Sequence, residues 1–206
     1  MTSAKKVVTE NIPKFVYNAN YGNLDSEIYL PQVIENMGRD DLTGVAEAKA
    51  RTVKVLFEFV GLNPQEILEM GEEARPQMDG YGRPIGSVSD EGVQKAADRK
   101  NERQALLYSA QSRLSRKFRD WWKQGEYSFD FQADGNHFKI WVSDKLRPEP
   151  IELENRSTGL QWFLSFFLVF LVESKDTHSN TILLLDEAGY SLHPLAQRDL
   201  AEFFDG

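Results

Sequence analysis

The stretch TILLLDEAGYSLHP, residues 181–194, decides how the chain is read. Ile182 to Leu185 form an unbroken apolar run that suits a central strand covered on both faces. Asp186 and Glu187 follow at once. In open α/β sheets ligands sit beyond the carboxyl ends of the strands, so paired acids there stand where chemistry is done. An Asp in that place can hold Mg2+ through its water shell, and a Glu beside it can polarise an attacking water. Two acids that only close the turn after a buried strand would look the same.

Upstream, NRSTGLQWFLSFF (155–167) sets Ser157, Thr158 and Gly159 directly before an apolar run, with Ser157 lying 29 residues ahead of Asp186. Free backbone N–H groups and the positive end of a helix dipole make such a start a ready place for a phosphate. A plain N-cap by Ser157 or Thr158 is the alternative. The apolar run, 160–172, is 13 residues long and is interrupted only by Gln161 and Ser165. A bilayer needs roughly 20, so the run predicts a buried core helix.

Working toward the N-terminus, HFKIWV (137–142) and YSFDF (127–131) both alternate, with ADGN between them, and predict a hairpin. Pro148 and Pro150 break the strand pattern after it. Ser89-Asp90-Glu91 caps the longest helical pattern, which runs to about Lys123. Leu107, Ala110, Leu114, Phe118 and Trp121 make an apolar stripe on its second half, while the first half is polar nearly all round. That pattern suits a helix leaving the domain as the base of a coiled-coil arm. Residues 75–88 carry two Pro and three Gly and predict a loop. A helix stopped by Gly61 precedes a short one opened by Pro64. KFVY (14–17) and EIYLP (27–31) read as strands. The order implies one α/β domain with a mainly helical insertion over about 36–125.

Composition narrows the chemistry. The 206 residues suffice for a sizeable core, and 41% apolar with 27% charged residues is ordinary for a globular chain. There is no cysteine, which removes disulfides and thiolate ligands and fits a reducing, cytoplasmic setting. The three histidines, at 137, 178 and 193, are too scattered for a zinc cluster. No hydrophobic leader pattern opens the sequence. The net charge of −8 offers no global attraction to nucleic acid or to an acidic membrane. Locally the balance inverts. Residues 95–123 hold nine Lys or Arg against three acids, with Trp121 and Trp122 near the end of the segment. This basic helix is either a DNA-facing surface or an ordinary solvated face.

RSTGLQW, a helix, and then TILLLDEAGYSLHPLAQRDL together resemble the second half of an ABC-type ATPase head. The closest likeness is to the OLD, RecF and SMC-like branch of the P-loop NTPases, and it covers about residues 151–204. The resemblance implies a partial P-loop NTPase sheet using ATP and Mg2+. Asp186 would be the Walker B aspartate holding the metal, and Glu187 the general base. Ser157, Thr158 and Gly159 would form the signature that meets the γ-phosphate held by a second head, in a homodimer or larger assembly. Gly189, Ser191 and His193 would lie in the D-loop. Residues 1–35 would be a first piece of the core, 36–125 the inserted arm, and 126–206 the hairpin, signature helix, Walker B strand and D-loop. A DNA-repair or phage-defence setting goes with that branch. Arg156 and Leu160 depart from it, standing where Leu and a Gln or Glu are usual.

One required part does not occur. No GxxxxGK[ST] loop is present in these residues, so nothing here cradles the α- and β-phosphates. The switch histidine of such heads is missing as well. The expectation is a fragment whose nucleotide-binding half lies elsewhere, inactive alone; a degenerate head, serving as a non-catalytic interaction module, is the alternative. A metal-dependent nuclease using Asp186 and Glu187 lacks further nearby acids.

Overall fold

The computed structural model describes residues 14–18, 23–177, 181–185 and 189–205. Asp186 and Glu187 therefore lie outside the described residues. The fold mixes α and β elements. In chain order they are β1 (Lys14–Asn18), β2 (Glu27–Tyr29), α1 (Leu30–Met37), α2 (Gly44–Val60) and α3 (Pro64–Met70). A small hairpin, β3 (Gln77–Met78) and β4 (Pro84–Ile85), leads to the long α4 (Asp90–Trp121). Then come β5 (Tyr127–Asp134), β6 (His137–Asp144), β7 (Arg147–Glu152), a 3-10 turn (Leu153–Asn155), α5 (Thr158–Thr177), β8 (Thr181–Leu185) and α6 (Pro194–Asp205).

The hairpin expected around ADGN is the frame of the larger sheet. Asp134 pairs with His137 across a two-residue turn, where Gly135 takes the left-handed φ of 52° that favours glycine. β6 is central: β5 runs antiparallel on one side, while β2 and β7 lie along the other, β2 beside 137–139 and β7 beside 141–144. Pro148 and Pro150 do not end the sheet as the sequence suggests, because among the described residues β7 pairs only with β6 and its outer edge has no ladder for a missing N–H to break. EIYLP also divides differently: Glu27–Tyr29 is strand, and Pro31 sits in the first turn of α1, where its lost N–H is harmless.

α4 begins as its cap predicts, with the Ser89 hydroxyl accepting from the Gly92 N–H at 3.1 Å. Over 32 residues it extends about 48 Å. The expected arm does not form. Leu107, Ala110, Leu114 and Phe118 are buried against the chain's own sheet, so the stripe is not left for a second helix. The contact is also polar. Ser115 Oγ accepts from Phe129 N–H at 2.8 Å, and Gln111 Oε1 from Phe131 N–H at 3.0 Å. These are edge amides of β5, and the helix covers them as a neighbouring strand would. The first half, polar nearly all round, still buries Ala96 and Arg103.

α5 is the axis of the core. Leu160, Phe163, Leu164, Phe167 and Leu168 are wholly buried, which is the all-round burial its apolar sequence requires. Phe59 of α2 and Phe118 of α4 meet Phe167 edge-on, and Phe203 of α6 meets Phe166 and Phe170. Phe57 packs on Phe138, and Phe118 on Phe129. One hydrophobic cluster thus joins the 36–125 stretch to the residues after it. Among the described residues no helix is long and apolar enough to cross a membrane.

β8 is a strand, as read, and it pairs in parallel with β1 from Lys14↔Thr181 to Asn18↔Leu185. Covering on both faces is not found: Ile182 and Leu184 are 40% and 44% exposed. Among the described residues β8 has no strand partner but β1. An apolar run has the same sequence whether or not its own chain supplies the layer above it.

Candidate functional site

The start of α5 is built by its own sequence. Ser157 is the cap: its hydroxyl oxygen accepts from Leu160 N–H at 3.3 Å and its carbonyl from Gln161 N–H at 3.2 Å. That leaves the amides of Thr158 and Gly159 without a hydrogen-bond partner among the described residues. Ser157 and Thr158 are exposed, so these two N–H groups and the helix dipole present a positive end to solvent. Ser157 is thus an N-cap, and capping uses its hydroxyl acceptor while leaving its O–H as a donor.

Arg156 fixes this end to the sheet. Its Nη1 lies 2.8 Å from Asp144 Oδ2 and its Nη2 donates to Val142 O at 2.8 Å. The guanidinium also stands over the Tyr127 ring, 5.8 Å from its centroid. Burial, then Asp144, pushes the Tyr127 hydroxyl above its ordinary value, with Arg156 opposing. Asp144 Oδ1 meanwhile accepts from Leu146 and Arg147 N–H. Buried Gln161 completes the tie by donating to Glu154 O and Arg156 O. Arg156 is therefore a structural anchor. Nothing in the sequence pairs it with Asp144.

The second motif is a tight turn. Gly189 has φ 79° and is buried, and its carbonyl accepts from Leu192 N–H at 2.9 Å and from Gln197 Nε2 at 3.2 Å. A side chain there would meet Leu200 at 3.1 Å. His193 is exposed and starts α6: its carbonyl accepts from Gln197 N–H, its Nδ1 from Leu195 N–H at 3.4 Å, and Pro194 follows. Asp199, one turn on, is buried and accepts from Lys123 N–H at 3.3 Å and Gln124 Nε2 at 2.7 Å, joining α6 to the end of α4.

The two motifs meet at Gly159. A Cβ placed on it would lie 3.0 Å from Ser191 O and 3.5 Å from Leu192 Cδ2. The N-terminal turn of α5 is thus packed backbone to backbone against the turn that follows β8. Gly159 is brought against Ser191 and Leu192, although some 30 residues separate them in sequence. Asp186 and Glu187, which occupy the chain between β8 and that turn, lie outside the described residues. Among the described residues no three His, Asp or Glu side chains gather as metal ligands.

The close approach makes a direct prediction. Gly159→Ala should destabilise the chain by about 1–3 kcal/mol, because the obstacle is a backbone carbonyl that has no rotamer to change. Gly80→Ala, where a Cβ meets nothing within 4 Å, should stay within about 0.5 kcal/mol. Thermal melts of the two variants check the difference.

Comparison with family models, curated proteins and solved structures gives no match.

Proposed function

We propose that the chain is the signature and Walker B half of an ABC-type ATPase head, which acts on a nucleotide whose α- and β-phosphates are held by a P-loop outside these residues. The observation that carries the reading is the contact of Gly159 with Ser191, which unites the Ser-Thr-Gly helix start with the turn after an Asp-Glu strand. Two unpartnered amides, one free hydroxyl donor and a helix dipole at that place suit a terminal phosphate. Asp186 would hold Mg2+, which when bound neutralises charge building on the transferring phosphoryl group. Glu187 would take a proton from the attacking water. The open face of β8 at Ile182 and Leu184 agrees with a sheet completed by further strands. A non-catalytic interaction module is the second reading, favoured by the lack of a GxxxxGK[ST] loop.

Glu187→Gln separates the two in protein that carries this chain together with a P-loop. Turnover should fall at least about a hundredfold while ATP still binds, the loss expected of a general base. Unchanged turnover, or none to begin with, would favour the interaction module.

A further inference from the structure

We infer that the solvent face of the C-terminal half of α4 is a docking surface for single-stranded nucleic acid. Tyr108, Ser112, Arg116 and Arg119 succeed one another at spacings of four, four and three, which aligns them along one side of the helix, and Lys123 follows just past its end. All five are exposed, and they lie opposite buried Leu107, Ala110, Leu114 and Phe118. Arg113 flanks the row and is also exposed. From Arg113 to Lys123 the only acid is Asp120, in a chain whose net charge is −8.

Service to the helix itself does not account for the charge. Arg119 Nε donates to Ser115 O and Lys123 Nζ to Arg119 O, so these two help to close the end of α4. The pull of a helix dipole is confined to about its last turn. Arg113 and Arg116 lie eight and five residues before Trp121, and among the described residues neither forms an ion pair. Arg116 carries its charge into solvent, while Arg113 Nη1 reaches Gly61 at the end of α2, where an added Cβ would meet it at 3.2 Å.

The aromatic ring selects the partner. Tyr108 is 58% exposed at the head of the row, with small Ser112 between it and the first arginine. A flat ring beside a line of cations suits an unpaired base stacked on the ring with its backbone tracking the cations. In a duplex the bases are already stacked, and the tyrosine would contribute nothing. This surface does not depend on the ATPase reading.

The experiment is fluorescence anisotropy on the purified chain, with a labelled oligothymidylate of about 20 nucleotides and a duplex of the same length as probes. The oligothymidylate should bind at about 50 mM salt and weaken steeply toward about 200 mM. Replacing Arg113, Arg116 and Arg119 together with Gln should lower the slope of log K against log salt by about 2, at about 0.7 per contact. Tyr108→Ala should cost at least about fivefold in affinity and leave the salt slope unchanged. Arg113→Gln with Arg116→Gln alone, which leaves the helix end intact, should give about two-thirds of the slope change. No binding at low salt would overturn the proposal. So would a slope indifferent to the arginines, or equal duplex affinity with Tyr108→Ala silent.

Discussion

Replacing Phe118 with alanine should remove about 3–5 kcal/mol of stability. Phe118 is wholly buried, and its ring meets four others: Trp122, Phe129, Phe163 and Phe167. Those neighbours come from the residue that caps α4, from the sheet and from α5. Truncation would open one cavity bordered by three elements, each held by further contacts, so collapse into the void would be incomplete. Domains of this kind have only about 5–15 kcal/mol in total, and the variant should approach the edge of folding. Phe118→Leu, which fills most of the volume, should cost much less. A urea titration reads the pair: the midpoint should fall far for alanine and modestly for leucine, with the slope unchanged.

Arg156→Ala is the second large effect, and its origin is electrostatic. The Arg156 and Asp144 side chains are 4% and 14% exposed. Removing the cation would leave the Asp144 Oδ2 charge and the Val142 carbonyl buried without their donor. Breaking a buried pair from one side costs about 3–5 kcal/mol, since the remaining charge keeps its desolvation cost and loses the attraction that offset it. Arg156→Met combined with Asp144→Asn should recover much of the loss. Asn can still accept from Leu146 and Arg147 N–H, and no uncompensated charge remains. The double variant melting close to the parent, and Arg156→Ala far below it, would establish the pair as the anchor of α5.

Much of this architecture is legible in the chain because local signals and burial agree. Ser89 with Asp90 and Glu91 starts α4, Gly61 at φ 74° stops α2, and alternation over 127–131 and 137–142 makes the hairpin. Each is a short-range rule that tertiary structure reinforces. The failures have a common cause. Pro148 and Pro150 signal a break, yet an edge strand asks for hydrogen bonds on one side only. The α4 stripe suits an arm, but a helical stripe specifies only that something apolar covers it, and here that is the chain's own sheet. Arg103 looks solvated in sequence, whereas burial holds its guanidinium below the ordinary value. The approach of Gly159 to Ser191 is likewise invisible locally, because it depends on where β8 delivers the following turn. Ser157, Thr158 and Gly159 could be chosen from their place before an apolar helix. Arg156, Asp144 and Gln161, which hold that helix end in place, could not.

The central claim is that the end of α5 in one protomer serves a nucleotide attached to another. It is tested most directly by mixing two inactive variants of the P-loop-containing protein, Ser157→Arg and Glu187→Gln, and measuring ATP turnover. In a symmetric dimer formed by random exchange, half the pairs are mixed and each has one of its two sites with intact parts, so about a quarter of parental activity should return. Turnover that stays at the level of the separate variants would contradict the account, since Ser157 would then act within its own protomer or not at all.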